Sequence, residues 1–340
     1  MSGASHFAPE SPARAPSLPL GEWPDVGVLH VDLDRLDQTM LTAVQSEDPQ
    51  LNRMSEELIT RGGKRLRPAL LILAAQTGTA DESLLLPVAA AIELLHAASL
   101  YHDDIMDRAA TRRGAPSANA LWGNMSAAAA GTHLLACAMK LLAPLPPEVV
   151  SAVAEATLTV CTGQLRETQH AYDLGLDEEE HLRIIEMKTA TLIELPCRLG
   201  AQLASAHPRH VQALSTYGRH LGIAFQLTDD ALDLTGEATG LGKPTGTDLR
   251  EGIYAHSVLA ALRLDPRGRL ATILRRSALR ATDVAEAISV TRDSGALAVT
   301  HALAARHAEL AAAEALRSLP DSPTRSSLRS LASHAVTRRR

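Results

Sequence analysis

Three carboxylates, Asp103, Asp104 and Asp107, fall at i, i+1 and i+4 within an apolar run, and Asp229, Asp230 and Asp233 repeat that spacing. On a helix, i and i+4 stack on one face and i+1 lies beside them. Such a cluster repels itself, by roughly 0.2–0.5 kcal/mol for the i,i+4 pair, and by more where water is excluded. A cation must compensate, and oxygen-only ligands select Mg²⁺ over Zn²⁺. One such cluster is most simply a solvated acidic face. Two copies, both flanked by apolar residues, favour a pair of metal-binding helices.

Basic residues gather in the turns. Gly62-Gly63-Lys64-Arg65-Leu66-Arg67-Pro68 places three cations in a glycine-started loop ahead of a helix. That arrangement suits an anion held by side chains and by the positive end of a helix dipole. It is not a P-loop, because the glycine spacing and the Ser/Thr are missing. Arg112 and Arg113 offer two guanidinium forks that match phosphate oxygens, and Lys188, Thr189 and Lys243 add donors. Each alone reads as surface charge. Together they describe a site for two diphosphates, one bridged by metal and one held by basic loops. No Ser/His/Asp set or activated Cys stands out, so a covalent enzyme intermediate is not expected. The metal's role would be to stabilise a departing diphosphate as a Lewis acid.

The elements that must position these groups read as helices. Of 340 residues only 2% are aromatic and alanine is abundant, which favours helix over strand. The expectation is an all-α chain forming one large bundle over residues 28–340, behind a disordered Pro/Ser/Ala-rich tail at 1–27. Helices are predicted from about Val28 to Val44, over Leu51–Thr60 and over Ala69–Gln76. Another runs from Asp81–Ser83 into the first acidic cluster. Arg112–Pro116 reads as a loop, Ala118–Leu142 and Glu148–His170 as helices, and Asp173–Glu180 as a solvated acidic turn. Two long helices follow, His181–Leu203 and Val211–Thr235, then a glycine-rich loop over Gly236–Gly252 and several shorter helices.

The net charge of -6 gives no electrostatic footprint for nucleic acid. Cys137, Cys161 and Cys197 lack metal or disulfide spacing and read as reduced, buried thiols of a cytoplasmic protein. Leu84–Ile92 and Ser126–Met139 read as too short or too interrupted to span a bilayer, so no transmembrane segment is expected.

These stretches, in this order, resemble the trans-isoprenyl diphosphate synthases, or polyprenyl synthetases. The resemblance rests on GGKRLRP at 62–68, ELLHAASLYHDDIMD at 93–107, RRGAPSA at 112–118 and GQ at 163–164. KTA at 188–190, FQLTDDALD at 225–233 and GKPTGTDL at 242–249 complete it. It covers residue 30 or so to the carboxyl end and implies an all-helical isoprenoid-synthase fold with a central cavity. The implied activity is head-to-tail condensation of isopentenyl diphosphate with an allylic diphosphate. Asp103, Asp104, Asp107, Asp229, Asp230 and Asp233 would bind Mg²⁺, three ions per site, on the allylic diphosphate. Arg112, Lys188, Thr189, Gln226 and Lys243 would contact that diphosphate. Lys64, Arg67, His96 and Arg113 would hold isopentenyl diphosphate, and a homodimer is implied.

Product length can be read one helical turn before Asp103, where Ser99 and Ala98 stack beneath the metal site. Both are small, so the tunnel should continue and the product should exceed C15, in the C30 to C50 range. The alternative is a C20 synthase, with Leu94 or Leu95 closing the tunnel a turn deeper. Three places depart from the family pattern: Gly131-Thr132-His133, Arg108-Ala109-Ala110 and Ile253–Ser257, where a lysine is common. Rival readings are a terpene cyclase, which would carry a different second motif, and a non-catalytic subunit of a two-chain synthase. A di-iron bundle is the third, because Glu93/His96 and Glu178/His181 have ExxH spacing.

Overall fold

The computed structural model describes residues 33–112, 114–235 and 246–337. The expected tail over 1–27, Arg113, Lys243 and Arg338-Arg339-Arg340 lie outside the described residues. Helices dominate, in the order α1 (Leu33–Ala43), α2 (Pro49–Thr60), α3 (Leu66–Ala75) and α4 (Glu82–Met106). A hairpin of β1 (Thr111–Arg112) and β2 (Ala115–Pro116) follows, then α5 (Ala118–Trp122), α6 (Asn124–Leu142) and α7 (Pro147–Gln169). Next come α8 (Glu178–Ile185), a π-helical stretch (Glu186–Ala190), α9 (Thr191–Leu203) and α10 (Pro208–Thr235). The carboxyl-terminal third holds α11 (Thr247–Glu251), α12 (His256–Leu264), α13 (Arg269–Leu274), α14 (Ala281–Asp293), α15 (Ala296–Glu309) and α16 (Pro323–Thr337).

Two long helices carry the acidic clusters. α4 packs against α6, α3, α1 and α9, while α10 packs against α9 and α15. α3 is buried all round except at Arg67 and Ile72, as expected of a helix without a polar face. Leu36, Met40 and Val44 are fully buried, so the three- and four-residue periodicity of α1 does mark a core face. Asp48 caps α2 by accepting hydrogen bonds from the backbone N–H groups of Gln50 and Leu51.

Several boundaries differ from the sequence expectation, each for a local reason. Arg112–Pro116 is a two-stranded hairpin, with Thr111 opposite Pro116 and Arg112 opposite Ala115. The helix expected over Ala118–Leu142 breaks at Gly123, whose φ of 81° ends α5 and starts α6. The helix expected over His181–Leu203 begins earlier, at Glu178, because Asp177 accepts from the N–H of Glu180. The acidic turn is not simply solvated: Glu180 pairs with Arg166 at 2.7 Å and Glu178 with Arg263 at 2.8 Å. Part of the glycine-rich loop is helical, as α11. Cys137 and Cys197 are buried, whereas Cys161 is exposed.

By length and composition alone α4 and α6 could cross a membrane, contrary to the sequence expectation. The most apolar window of α4 is 61% buried inside the protein, which is how the core helix of a bundle behaves.

The basic glycine loop is fastened beneath α4 by a buried charge. Arg65, at φ 46°, leads into α3, and its guanidinium bonds Glu93 at 3.0 Å and the carbonyl of Ile59 at 2.9 Å. A second contact to Asp37 lies at 2.8 Å. Arg65 is therefore structural, and Lys64 and Arg67 on either side of it remain half-buried. Removing one partner of a buried pair strands the other, at about 3–5 kcal/mol, whereas an apolar replacement of both is often neutral. Arg65→Ala should therefore destabilise by about 3–5 kcal/mol in urea unfolding, and Arg65→Met with Glu93→Leu should recover part of it, because Asp37 still loses its arginine. Equal stability of Arg65→Ala and the parent would contradict this role.

Candidate active site

α7, the π-helical stretch and α10 bring together the remaining groups. Gly163 of α7 lies so close to the π stretch that a Cβ there would meet the Lys188 nitrogen at 2.7 Å and Met187 Cβ at 2.8 Å. The widened turn and this close approach set Lys188 beside Glu167, four residues after Gly163, and the two form an ion pair. π-Bulges of this kind recur at functional sites. Next to it, Thr189 Oγ1 donates to Gln226 Oε1 at 2.9 Å, and Gln226 Nε2 donates to Asp230 Oδ1 at 2.7 Å. A continuous hydrogen-bonded path thus runs from the π stretch to the second acidic cluster.

The first cluster sits at the carboxyl-terminal end of α4. Asp104 is 3% exposed and is met by Arg112 of the hairpin, whose Nε donates to Oδ1 at 2.8 Å. Burial pushes Asp103 up to about 6; Lys188 and Arg112 oppose this, while Asp107 and Glu167 add to it. Burial pushes Asp230 up to about 8, against the Gln226 hydrogen bond and with help from Asp248, Asp229 and Glu167. Burial would depress Lys188, but Glu167, Asp103 and Asp107 outweigh it and hold the ammonium above its ordinary value. Glu167 is thus within electrostatic reach of carboxylates on both α4 and α10. Glu167 adds to the negative charge felt by Asp103 and Asp230 alike, and Lys188 and Arg112 do not offset the effect of burial at Asp103.

That imbalance is the test of fit for a metal. Carboxylates raised by burial and by one another, with oxygen donors only, fit a hard divalent cation such as Mg²⁺. Among the described residues no ready-made group of three or more metal-ligating side chains is assembled. Asp104 is occupied by Arg112 and Asp230 by Gln226, so binding a cation there requires these partners to be shared or exchanged.

Of the residues predicted for a second anion, Lys64 precedes α3, Arg67 lies in its first turn, and His96 lies on α4 seven residues before Asp103, on the same helical face. Arg65 ties the loop bearing Lys64 and Arg67 to Glu93, and His96 lies one turn further along α4. Arg113 and Lys243 fall outside the described residues. Ala98 is buried, and Ser99 is half-buried with its hydroxyl donating to the His96 carbonyl at 2.8 Å. Leu94 and Leu95, one turn deeper, are buried as well. Sequence reading missed Glu167 and Asp248. The signal for Glu167 was present as a carboxylate one turn after the Gly163-Gln164 pair, and for Asp248 in the stretch GTDL.

The departures leave this geometry intact. Thr132 is exposed and bonds its own helix at Ala128 O, while Gly131 leaves room for the His102 ring, 2.8 Å from where a Cβ would sit. Tyr254, His256 and Ser257 are buried in the carboxyl-terminal part of the bundle.

Helices in this order, with one aspartate cluster on α4 and another on α10, define an all-α protein built around two acidic helices. The family model described as polyprenyl synthetase matches residues 48–291. The chain is 38% identical to a nonaprenyl diphosphate synthase of Mycobacterium tuberculosis, over 94% of this chain and 96% of that one. It is 37% identical to heptaprenyl diphosphate synthase component 2 of Geobacillus stearothermophilus, over 88% of this chain and 94% of that one. A polyprenyl synthase of Caulobacter crescentus, solved with calcium and isoprenyl diphosphate, superposes with a TM-score of 0.88 at 34% identity. That match covers 93% of this chain and 97% of the other. The chain belongs to the polyprenyl synthetase family of all-α prenyltransferases.

The charge imbalance has a pH signature. A carboxylate raised in the folded state binds its proton more tightly than in the unfolded chain, so the metal-free protein gains stability below the ordinary carboxylate range. That gain is lost as pH rises towards about 6 for Asp103 and about 8 for Asp230. Relative to Asp230→Asn, the parent's thermal midpoint in EDTA should therefore fall as pH rises from about 4 to about 8, so the substitution flattens the upper part of the profile. A slope unchanged by Asp230→Asn would contradict the assignment.

Proposed function

We propose that this prenyltransferase condenses isopentenyl diphosphate head-to-tail with an allylic diphosphate to make an all-trans-polyprenyl diphosphate longer than C15. The observation that carries this reading is the convergence of the two aspartate clusters on Glu167, beside Lys188 and the Thr189–Gln226–Asp230 path.

Asp103, Asp104, Asp107, Asp229, Asp230 and Asp233 would hold Mg²⁺, three ions with the allylic diphosphate bound. Bound there, the metal supplies Lewis-acid stabilisation of the leaving diphosphate. Lys188, Thr189, Gln226, Arg112 and Lys243 grip the same diphosphate, and Lys64, Arg67, His96 and Arg113 orient isopentenyl diphosphate. With the leaving group held by preorganised positive charge, its carbon–oxygen bond breaks and leaves an allylic cation. The alkene of isopentenyl diphosphate attacks that cation to form the new carbon–carbon bond. The released diphosphate accepts the proton lost from the adduct, which accounts for the lack of a separate protein base. Arg112 must loosen its hold on Asp104 to reach substrate, so its pairing in the free enzyme guards a buried charge until substrate arrives.

A product longer than C15 is supported by the small side chains at Ala98 and Ser99 and by the nonaprenyl and heptaprenyl relatives. A geranylgeranyl (C20) product is the less favoured alternative. A homodimer is supported by large apolar side chains left exposed on α5, α6 and α7, namely Leu121, Met125, Leu158 and Leu165. Three free thiols support a cytoplasmic setting. Purified protein given farnesyl diphosphate, isopentenyl diphosphate and Mg²⁺ should release chains beyond C20 on product sizing. A C15 or C20 end point would contradict the open tunnel. Ser99→Phe should shorten the product, and an unchanged length would place the tunnel elsewhere.

A further inference from the structure

Arg61, the last residue before the basic glycine loop, is absent from every role assigned so far. We propose that Arg61 is a positioning residue that locks the two basic loops into one anion-binding unit. The proposal rests on the reading above that Lys64, Arg67 and the arginines of the hairpin hold diphosphates.

Arg61 ends α2, and its guanidinium reaches in two directions. Nη1 donates to the carbonyl of Pro116 at 3.0 Å, across 55 positions of chain. Nη2 meets the carboxylate of Glu57, one turn back on α2. Pro116 is the β2 residue opposite Thr111, and its neighbour Ala115 is opposite Arg112. Arg61 therefore grips the strand that fixes the register of Arg112, while its own backbone leads directly into Gly62-Gly63-Lys64.

The surroundings make this more than a surface ion pair. Glu57 and Arg61 are only about a fifth exposed, at 20% and 22%. Burial raises the Glu57 carboxyl even with Arg61 beside it. The buried Tyr101 hydroxyl donates to the Met54 carbonyl, fastening α2 to the turn of α4 that precedes Asp103 and Asp104. Glu57, Arg61, Tyr101, Asp104, Arg112 and Trp122 line one small cavity, so the strut and the Asp104–Arg112 pair are near neighbours. A guanidinium fork can serve a carboxylate and a carbonyl at once, which a single ammonium does less well.

Each basic loop also has its own anchor: Arg65 to Glu93 for the glycine loop, Arg112 to Asp104 for the hairpin. Cutting the strut should leave both loops folded but loosen their spacing. A diphosphate that draws on both loops should lose most, and the allylic diphosphate, which shares Arg112 but keeps Lys188, Thr189 and Gln226, should lose less.

The experiment pairs two readouts on Arg61→Ala, Arg61→Lys and Glu57→Gln. Calorimetric titration with inorganic diphosphate in EDTA reads the basic loops without turnover, and steady-state kinetics reads the two substrates separately. Arg61→Ala should weaken metal-free diphosphate and raise KM for isopentenyl diphosphate by about tenfold, with a smaller rise, about threefold, in KM for the allylic substrate, which shares Arg112. Arg61→Lys should recover part of the loss, Glu57→Gln should show a smaller version of it, and thermal midpoints should stay near the parent's. Unchanged diphosphate affinity in Arg61→Ala would overturn the proposal. So would a parent that binds no metal-free diphosphate, or losses in both substrates that track a lowered midpoint. A parent that binds diphosphate but forms no prenyl product would instead contradict the prenyl-transfer reading, and the titration would still judge the strut.

Discussion

Burying carboxylates of two helices within reach of one glutamate, Glu167, is the constraint on which the rest of the structure depends. Asp103 on α4 senses Asp107 and Glu167, and Asp230 on α10 senses Asp229, Asp248 and Glu167, so Glu167 on α7 is felt at both helices. An isolated fold has no reason to accept such crowding, which costs stability wherever the groups are ionised. It becomes reasonable when the missing positive charge arrives with the substrate. The cleft is then selective by construction, because a metal bound to a diphosphate relieves a strain that an apolar ligand leaves in place.

The scaffold serves that concentration of charge by holding polar groups on stiff elements. Gly163 and the π-helical stretch bring Lys188 to Glu167 and point Thr189 along the path to Asp230. Arg65 spends its charge inside the protein, while Lys64 and Arg67 beside it stay half-buried. The hairpin supplies Arg112 from outside the helices altogether, and Asp104 holds it near the cluster before substrate binds. Precision of this kind favours catalysis by preorganised charge over catalysis by a protein acid or base.

Much of this was legible in the sequence because the informative signals are local. The scarcity of aromatics marked the helical class, and the i, i+1, i+4 carboxylates and the glycine-started basic loop marked the stretches on which the proposed site draws. What escaped depends on contacts between distant segments. Glu167 looks like any helix-surface glutamate until α7 is placed against α9 and the π-helical stretch. The π-helical stretch arises where Gly163 lets two helices nearly touch, which no single-helix periodicity reports. The break at Gly123 and the early start at Glu178 turn on one left-handed glycine and one capping aspartate. The acidic turn was misjudged because its partners, Arg166 and Arg263, lie on other helices.

The central claim is that the two aspartate clusters are the two jaws of one cation site. A crystal structure with Mn²⁺ and inorganic diphosphate, with the ions located by anomalous scattering, tests it most directly. The account requires ions bound by carboxylates of both α4 and α10, with Lys188 and Arg112 turned onto the diphosphate. Ions confined to one cluster, or held away from Asp103 and Asp230 altogether, would contradict it.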